Sequence, residues 1–389
     1  MRDCNRLFRD VASELKGFVK SVVGDYGAVL YKFLLSFWGG MLAKHNVMLS
    51  EISRGTDSNT SHKKQIERFS DRLTSFFCTD LIWNYHRAIK EEINDRTIFC
   101  VDNTDATKPY GVAFEDMCKV RDGSDGIIKN GYEITNIVAL TPNHKQPIPV
   151  YSRLFSYDEI DFVSNNVETQ KALDCINRSF GSIGTKVFDR GYDDSKLMRY
   201  LINNNEKFVI RCKENRILLH DDKEYRMEDL VEQPATEISS YFRKILLTFK
   251  SYAVDLQGMK FNLVVVSGFG AKPMTLLTNL IAGNDLAQTV GRVYMLRWKI
   301  EETHRFEKEI FKLENFRVRK LIAIRNIVLL TAMLCGFIAI ICEHQKRKMF
   351  KRLFAMSQTL KKKFGKNHLY FYSISRAIEI LYRKYFSSS

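Results

Sequence analysis

The stretch "TKVFDRGYDDSKLMRYLINNNEKFVIRCK", residues 185–213, decides the fold of this chain. It predicts a short apolar strand that ends at Asp189, then a helix over "SKLMRYLINNN", then a second strand over "KFVIRCK". A further helical pattern, "VETQKALDCINRSF", precedes it at residues 167–180. Because helices alternate with strands, the pattern predicts an α/β fold with helices packed on a sheet.

Three more predicted strands come before this alternation. They are "TIFCV" at 97–101, "NIVALTP" at 136–142 and "QPIPVYSRLF" at 146–155, with a turn predicted at Pro142–Lys145. A three-strand meander followed by alternating helices and strands is the order found in ribonuclease H-like folds. We therefore expect residues 96–215 to form the first part of such a core.

Residues 216–284 break the alternation, because they predict further strands, and we interpret them as a β-rich insertion. Helix returns at residues 285–345, the predicted second part of the core. Asp285 is the predicted N-cap of one continuous helix that runs through Phe311.

Residues 1–95 are predicted to be helical, because apolar positions recur at spacings of three and four. Within them Ser50 is the predicted cap of a short helix that Gly55 ends, and a second short helix follows. The second helix carries three basic residues: Lys63, Lys64 and Arg68. This order resembles a helix-turn-helix element, which predicts a helical DNA-binding domain, and a plain helical bundle fits the pattern equally well.

The positive charge of the chain is concentrated near its C-terminal end. The 389 residues carry a formal net charge of +15, and residues 311–389 hold 17 Lys and Arg against 3 Asp and Glu. A basic end of this size suits nucleic acid or an anionic membrane surface, or serves only as a solvated surface. We treat residues 346–389 as a basic helical tail that contacts DNA or, through its apolar positions, a second subunit.

One apolar segment, Leu321–Cys342, approaches the length of a membrane span, but Arg325 and Asn326 interrupt it. We predict a buried core helix and no membrane partner, with a membrane anchor as the alternative. The eight cysteines form no Cys-x-x-Cys pair, and the first residues are too polar for a secretory signal. These features predict a cytoplasmic protein with reduced thiols.

Carboxylates follow two of the predicted strands. Asp102 ends the apolar run "IFCV" and Asp189 ends "KVF", while Glu301 lies on the predicted helix after residue 285. Adjacent strands that end in carboxylates, with a third carboxylate brought over them by a helix, make an oxygen-rich site suited to Mg²⁺. Each aspartate alone can instead form a turn or cap a helix.

The segment "YMLRWKIEETHRFEK", residues 294–308, places polar side chains on one face of the predicted helix. At 100° per residue, four of them fall within about 60° of one another: Tyr294, Arg297, Glu301 and Lys308. Arg305 shares this face, and Trp298 lies about 40° from Tyr294. An ordinary amphipathic helix with a solvated face has the same periodicity.

Together, "VDNTDATK", "FDRGYDD" and this segment resemble the DDE transposases of bacterial insertion sequences, in particular insertion-sequence family four. The third motif of that family is Tyr-x2-Arg-x3-Glu-x6-Lys. It is matched without a gap by four residues: Tyr294, Arg297, Glu301 and Lys308. The second motif, Asp-x-Gly-Tyr, is matched by Asp189, Gly191 and Tyr192. The first is matched best by Asp102, with Asp105 as the alternative.

The resemblance implies a DNA transposase that cleaves transposon ends and joins them to target DNA. It implies that Asp102, Asp189 and Glu301 are the catalytic residues and hold two Mg²⁺ ions, for which Mn²⁺ is a possible substitute. Water first attacks at the transposon end, and the freed 3′ hydroxyl then acts as the nucleophile in the same site.

The resemblance also implies partners and DNA contacts. The partners are double-stranded DNA, as terminal inverted repeats and as target, and a second copy of the chain in the assembled complex. Tyr294, Arg297, Lys308 and Arg305 are predicted phosphate contacts, and Trp298 would stack on a base or pack in the core. The implied location is the bacterial cytoplasm, near the nucleoid. Two alternatives remain: a ribonuclease H-like nuclease without strand transfer, and a DNA-binding relative that has lost catalysis.

Overall fold

The computed structural model describes residues 2–56, 58–75, 78–141, 146–242, 244–281, 283, 285–343, 347–358 and 370–386. The turn predicted at Pro142–Lys145 and residues 359–369 of the predicted tail lie outside these ranges. The chain divides into two compact units. The first contains Met1–Ile93, Asn103–Ser164 and Glu301–Ser389, and the second contains Asn94–Asp102 and Asn165–Ile300.

The structure is a mixed α/β fold. Its helices are α1 Arg2–Val23, α2 Ala28–Lys44, α3 Leu49–Arg54, α4 His62–Ser75, α5 Cys78–Ile89, α6 Asn165–Phe180, α7 Ser195–Asn203, α8 Met227–Val231, α9 Leu286–Met295, α10 Trp298–Glu309, α11 Leu321–Glu343, α12 Lys348–Gln358 and α13 Tyr370–Phe386. Its strands are β1 Ile98–Thr107, β2 Cys118–Arg121, β3 Ile128–Leu140, β4 Ile148–Phe155, β5 Thr185–Phe188, β6 Lys207–Arg211, β7 Ile217–His220, β8 Lys223–Arg226, β9 Ile238–Phe242, β10 Ile245–Leu256, β11 Met259–Ser267 and β12 Met274–Thr278.

The second unit is built around a large sheet. Residues 98–101 of β1 pair in parallel with β5, and β5 pairs in parallel with β6. The order continues from β6 through β12, β11, β10 and β7 to β8, and β9 also pairs with β10. The alternation of helices and strands predicted for residues 167–211 is confirmed. The strands predicted within 216–284 continue the sheet of β5 and β6, because β12 pairs antiparallel with β6.

Strand β5 lies in the interior of this sheet. Its residues Lys186, Val187 and Phe188 are all buried, as expected for a parallel strand covered on both faces. Helix α9 covers one face, where Val290 and Met295 join the same buried cluster as Val187. The burial of apolar side chains on both sides therefore keeps the carboxyl end of β5 in a defined position.

The buried lysine of β5 has a carboxylate partner that the sequence analysis missed. Lys186 and Glu206 form an ion pair in which neither side chain is exposed. The ammonium of Lys186 also donates to the carbonyl of Ile183 at 2.9 Å and lies 5.3 Å from the Phe99 ring centroid. Burial lowers the pKa of Lys186, and Glu206 opposes this shift. The pair ties the amino end of β5 to the residue that precedes β6.

The first unit contains β2, β3, β4 and the end of β1. Strand β3 pairs antiparallel with β2 and with β4. The end of β1 lies beside β3, where the amide of Lys108 donates to the carbonyl of Asn130 at 2.7 Å. Strand β2 was not predicted, because its four residues alternate too briefly for a periodic signal.

Helix α11 is the buried core helix that the sequence predicted. It is long and apolar enough to cross a membrane by composition, but 89% of its most apolar window is buried within the protein. Asn326, which interrupts the apolar run, donates to the carbonyl of Leu73 at 2.6 Å. Arg325 donates to the carbonyl of Leu154 at 2.9 Å and pairs with Glu159. Asn326 and Arg325, the two residues that interrupt the apolar run, therefore both have partners within the first unit.

Helices α3 and α4 follow the predicted order, with one correction. The N-cap of α3 is Met48 and not Ser50, while Gly55 ends the helix as predicted. Helix α4 buries Gln65, Phe69 and Leu73, which lie one turn apart.

The C-terminal helices α12 and α13 pack on the N-terminal helices of the same unit. The Phe8 ring stacks on Tyr385 with centroids 3.9 Å apart and meets the edge of Tyr382. Arg352 pairs with Asp10 at 3.5 Å. The apolar positions behind the predicted subunit contact lie within the unit. Phe354 is half-buried, and the others are buried: Phe350, Leu353, Ile374, Ile378 and Leu381. The predicted domain limits at 95, 215, 284 and 345 stay predictions.

Candidate active site

The parallel pairing of β1, β5 and β6 ends at one level, and the residues that follow it place three polar side chains in one row. The last residues paired in parallel across these strands are Val101, Phe188 and Ile210. The next residue along each strand is Asp102, Asp189 or Arg211, and we call these three the carboxyl-end row. Because neighbouring strands lie about 4.8 Å apart, the two aspartates are side by side and Arg211 follows Asp189. The sequence analysis missed Arg211, although it lies within the predicted strand "KFVIRCK" and is the last residue of β6.

The prediction that Asp102 ends its strand is wrong. Strand β1 continues to Thr107, five residues further. What ends at Val101 is the pairing with β5. Asp102 therefore lies at the edge of the parallel pairing while its backbone stays extended, and its side chain is 16% exposed.

Asp189 combines a structural role with its place in the row. Its Oδ1 accepts a hydrogen bond from the amide of Gly191 at 2.7 Å, which caps the short 3₁₀ turn Arg190–Tyr192. A Cβ at Gly191 would lie 3.0 Å from the same oxygen, so glycine permits this close approach. The turn directs the chain away from the sheet and leaves the Asp189 side chain partly exposed.

Arg297 is bonded to Asp102. Its Nη1 donates to Asp102 Oδ2 at 3.1 Å, and each side chain is only 16% exposed. The guanidinium offsets the negative charge of the carboxylate and fixes its orientation. Arg297, which the sequence analysis assigned to DNA phosphates, thus lies directly beside a predicted metal ligand.

Tyr294 is a core residue with its hydroxyl group near the row. The side chain is 7% exposed and belongs to the cluster that contains Val187. Burial raises the pKa of Tyr294. The positive charges of Arg297 and Arg211 oppose this rise, and the negative charge of Asp189 adds to it. The hydroxyl therefore interacts electrostatically with Asp189, Arg211 and Arg297 in the second unit.

The single helix predicted through residue 311 is wrong. Helix α9 ends at Met295 and α10 begins at Trp298. Between them four amides donate three residues back, at 2.9–3.2 Å: Leu296, Arg297, Lys299 and Ile300. This tighter 3₁₀-type turn re-aims the chain, so the ideal α-helical wheel does not describe the face that runs from Tyr294 to Lys308.

Glu301 is exposed and belongs to the first unit, so its place beside the two aspartates stays a prediction. Within the described ranges, no group of three or more His, Cys, Asp or Glu residues is arranged to hold a metal ion. Asp102 and Asp189 nevertheless fit Mg²⁺, which is often bound by one or two carboxylates together with water and substrate phosphates. An ion at Asp102 would share its carboxylate with Arg297 or displace that contact.

Lys308 lies in a different cluster, in the first unit. Its ammonium pairs with Asp105 at 3.0 Å and with Glu314 at 3.4 Å. Asp105 is 6% exposed, and its Oδ1 accepts from the amide of Gly123 at 3.1 Å. Asp105, the alternative first ligand, is thus held by a buried ion pair and a backbone bond. Its contacts favour a structural role.

Two further residues of this cluster were missed. Lys108 donates to the carbonyls of Glu314 and Phe316, the latter at 2.9 Å, and burial lowers its pKa to about 8. Burial raises the pKa of Glu133 to about 7. A hydrogen bond from Tyr157 opposes this rise, and the negative charge of Asp105 adds to it. Lys108 lies inside the quoted motif "VDNTDATK", but neither its contacts nor those of Glu133 follow from local spacing.

The remaining predicted DNA contacts are dispersed. Arg305 is exposed and pairs with Glu302 on the same helix, and Trp298 is partly buried. On α4, three basic residues are exposed opposite the buried face: Lys63, Lys64 and Arg68. Arg68 also donates to Thr60 at 3.2 Å.

Residues 159–335 match a family model described as a transposase DDE domain. The matched range includes Asp189 and the third motif but not Asp102. The match supports a DDE transposase. Comparison with curated proteins gave no significant match.

The chain was also compared with solved structures. It is similar to a cryo-EM structure of the piggyBac transposase synaptic complex with hairpin DNA. The identity is 11%, the alignment covers 99% of this chain and 80% of that one, and the TM-score is 0.47.

Proposed function

We propose that this chain is a DNA transposase of the DDE type, related to insertion-sequence family four, that cleaves transposon ends and transfers them to target DNA. The observation that carries the proposal is the register that sets Asp102 beside Asp189, each directly after the last residue of the parallel pairing between β1 and β5. The match of residues 159–335 to a transposase DDE domain supports the same class. The parallel pairing of β1, β5 and β6 is what a ribonuclease H-like core requires.

Asp102 and Asp189 would hold divalent ions, with Glu301 as the third carboxylate. When bound, two Mg²⁺ or Mn²⁺ ions activate the attacking oxygen and stabilise the leaving oxygen of an in-line phosphoryl transfer. Arg297 orients the Asp102 carboxylate, and its positive charge suits a phosphate beside the scissile bond. The Gly191 amide orients the Asp189 carboxylate.

The two steps use the same group of residues. In cleavage a water oxygen attacks phosphorus, and the 3′ oxygen of the transposon end leaves with a proton. In strand transfer that 3′ hydroxyl attacks a target phosphate. The new P–O bond replaces the bond between that phosphate and a target 3′ oxygen, which leaves with a proton.

DNA recognition is assigned to the N-terminal helices and to a second subunit. The exposed basic face of α4, with Lys63, Lys64 and Arg68, suits the groove and backbone of the terminal inverted repeats. Two ends are joined at one target, so we expect a homodimer in the assembled complex. The expected location is the bacterial cytoplasm, near the nucleoid.

The test is cleavage of DNA that carries the inverted repeats flanking the gene, with Mg²⁺ and the purified full chain. Asp102→Asn and Asp189→Asn should each lower the cleavage rate by roughly 100-fold or more, because the ions lose a ligand. Asp105→Asn is the matched control and should retain most of the rate at a temperature where it is folded.

Three results would change the assignment. Full activity of both Asp102→Asn and Asp189→Asn would reject the site. Loss of activity in Asp105→Asn alone would make Asp105 the first ligand. Cleavage without joining, in a strand-transfer assay on supercoiled target DNA, would leave a nuclease.

A further inference from the structure

We propose that Arg211 is a further catalytic residue of this site, whose guanidinium contacts a DNA phosphate next to the scissile bond. The inference deepens the proposed function and rests on it. It starts from the strand register: Arg211 ends β6 beside Asp189, which follows β5, and Asp102 comes next on β1. A substrate phosphate that reaches the two carboxylates therefore lies within one or two strand spacings of Arg211, about 5–10 Å.

The surroundings of Arg211 suit an anion. Among the described residues no carboxylate lies within ion-pair distance of its guanidinium, whereas Arg297 pairs with Asp102. The pKa of Glu214 is lowered mainly by Lys272, its partner at 3.0 Å, and only weakly by Arg211. An arginine with a purely structural role normally has a carboxylate partner, because pairing offsets the cost of removing its charge from water.

Tyr294 lies near the guanidinium and does not neutralise it. The Tyr294 side chain is 7% exposed and fixed in the core of the second unit. Burial raises the pKa of its hydroxyl, and the positive charge of Arg211 opposes that rise. A guanidinium carries five N–H donors in a planar fork, which suits it to a phosphate. A positive charge held at the end of a paired strand stabilises the charge that develops during phosphoryl transfer.

The test compares Arg211→Met with Lys207→Met in the full chain. Lys207 is exposed at the amino end of the same strand, so it controls for loss of one positive charge from β6. We expect Arg211→Met to lower the cleavage rate by roughly 100-fold and Lys207→Met to change it less than twofold. Arg211→Lys should recover part of the rate, because it keeps the charge but not the fork.

Two further measurements separate phosphate contact from a structural role. In EDTA, DNA binding by Arg211→Met should show a salt slope smaller by about 0.9 than that of the unchanged protein. A series of DNA substrates, each with one phosphate near the cleavage point replaced by a neutral methylphosphonate, should be cleaved more slowly by the unchanged protein. At one position of the replacement, cleavage by Arg211→Met should be no slower than its cleavage of unmodified DNA. Thermal melting should show that Arg211→Met is folded. If it is not, Arg211→Gln, which keeps a polar side chain without the charge, takes its place and should lower the rate to a similar extent.

The outcomes are distinguishable from failure of the proposed function. If the unchanged protein does not cleave end DNA, both ideas fall. Suppose that the unchanged protein cleaves end DNA, that Asp102→Asn does not, and that Arg211→Met cleaves at the full rate. In that case only the role of Arg211 is rejected. If Arg211→Met and the methylphosphonate lower the cleavage rate additively at every position, a direct contact between Arg211 and a phosphate is also rejected.

Discussion

At the scale of single residues, the clearest electrostatic anomaly in the first unit is Glu307. It lies on α10 with 3% of its surface exposed, and burial raises its pKa to about 8. Lys308, the next residue, lowers this pKa in part, but its ammonium is paired with Asp105. Glu307 is therefore protonated in the folded protein at neutral pH and ionised in the unfolded chain.

This difference predicts a pH-dependent stability. The folded state keeps a proton that the unfolded state releases, so Glu307 costs stability as pH rises from about 4.5 to about 8. Glu307→Gln should match the unchanged protein near pH 4 and exceed it by about 3 kcal/mol at pH 7.

Urea unfolding at pH 4, 5.5, 7 and 8 measures the effect, with Glu309→Gln on the exposed face of the same helix as the control. A constant difference between Glu307→Gln and the unchanged protein at all four pH values would contradict the assignment.

At the scale of elements, β5 leads directly into Asp189 and is secured at its amino end by the Lys186–Glu206 pair. Both side chains have no exposed surface. Removing one partner of a buried ion pair leaves an uncompensated charge, which typically costs 3–5 kcal/mol, whereas replacing both with apolar groups is often neutral.

We therefore expect Lys186→Met alone to lower the free energy of unfolding by about 3–5 kcal/mol. The double variant Lys186→Met with Glu206→Met should recover most of that loss. Chemical denaturation of the single and double variants measures the coupling. If the double variant is no more stable than either single one, the pair is not what secures β5.

Elements also show where local reasoning works. The alternation of β5, α7 and β6 and the burial of α11 follow from periodicity within each segment, and both predictions are confirmed. The break between α9 and α10 has no such signal, because residues 296 and 297 are neither glycine nor proline. The turn there accompanies burial of Tyr294 and bonding of Arg297 to Asp102, contacts that join residues far apart in the sequence.

At the scale of the whole molecule, the basic C-terminal helices are part of the first unit and not a separate extension. Deleting them would expose the side chains of α1 and α2 that they cover, so a truncation would confuse unfolding with loss of DNA contacts. Exposed charges on α12 offer a cleaner test. Lys348 and Lys351 are exposed, while Phe350 and Leu353 between and after them are buried.

If the basic surface contacts the DNA backbone, Lys348→Gln with Lys351→Gln should weaken binding to any DNA sequence. It should reduce the salt slope by up to about 1.8, because each phosphate contact contributes about 0.9. Melting temperature should stay unchanged, since both side chains are exposed. Glu14→Gln, on the facing helix, is a control for charge changes on this surface. An unchanged slope would leave the charges as a solvated surface.

The sequence by itself determined the alternation of α6, β5, α7 and β6, the buried character of α11 and the two candidate aspartates. Each of these depends on residues that are close along the chain, where apolar spacing and strand-ending polar residues are visible directly. Only the tertiary structure decided what lies beside the aspartates. Arg211 joins Asp189 because parallel strands pair in one register.

Lys308 pairs with Asp105 because the end of α10 packs near the end of β1. Lys186 is buried because Glu206 neutralises it from outside its own strand. These contacts depend on packing between distant segments, which determines where each charge lies and which partner it has.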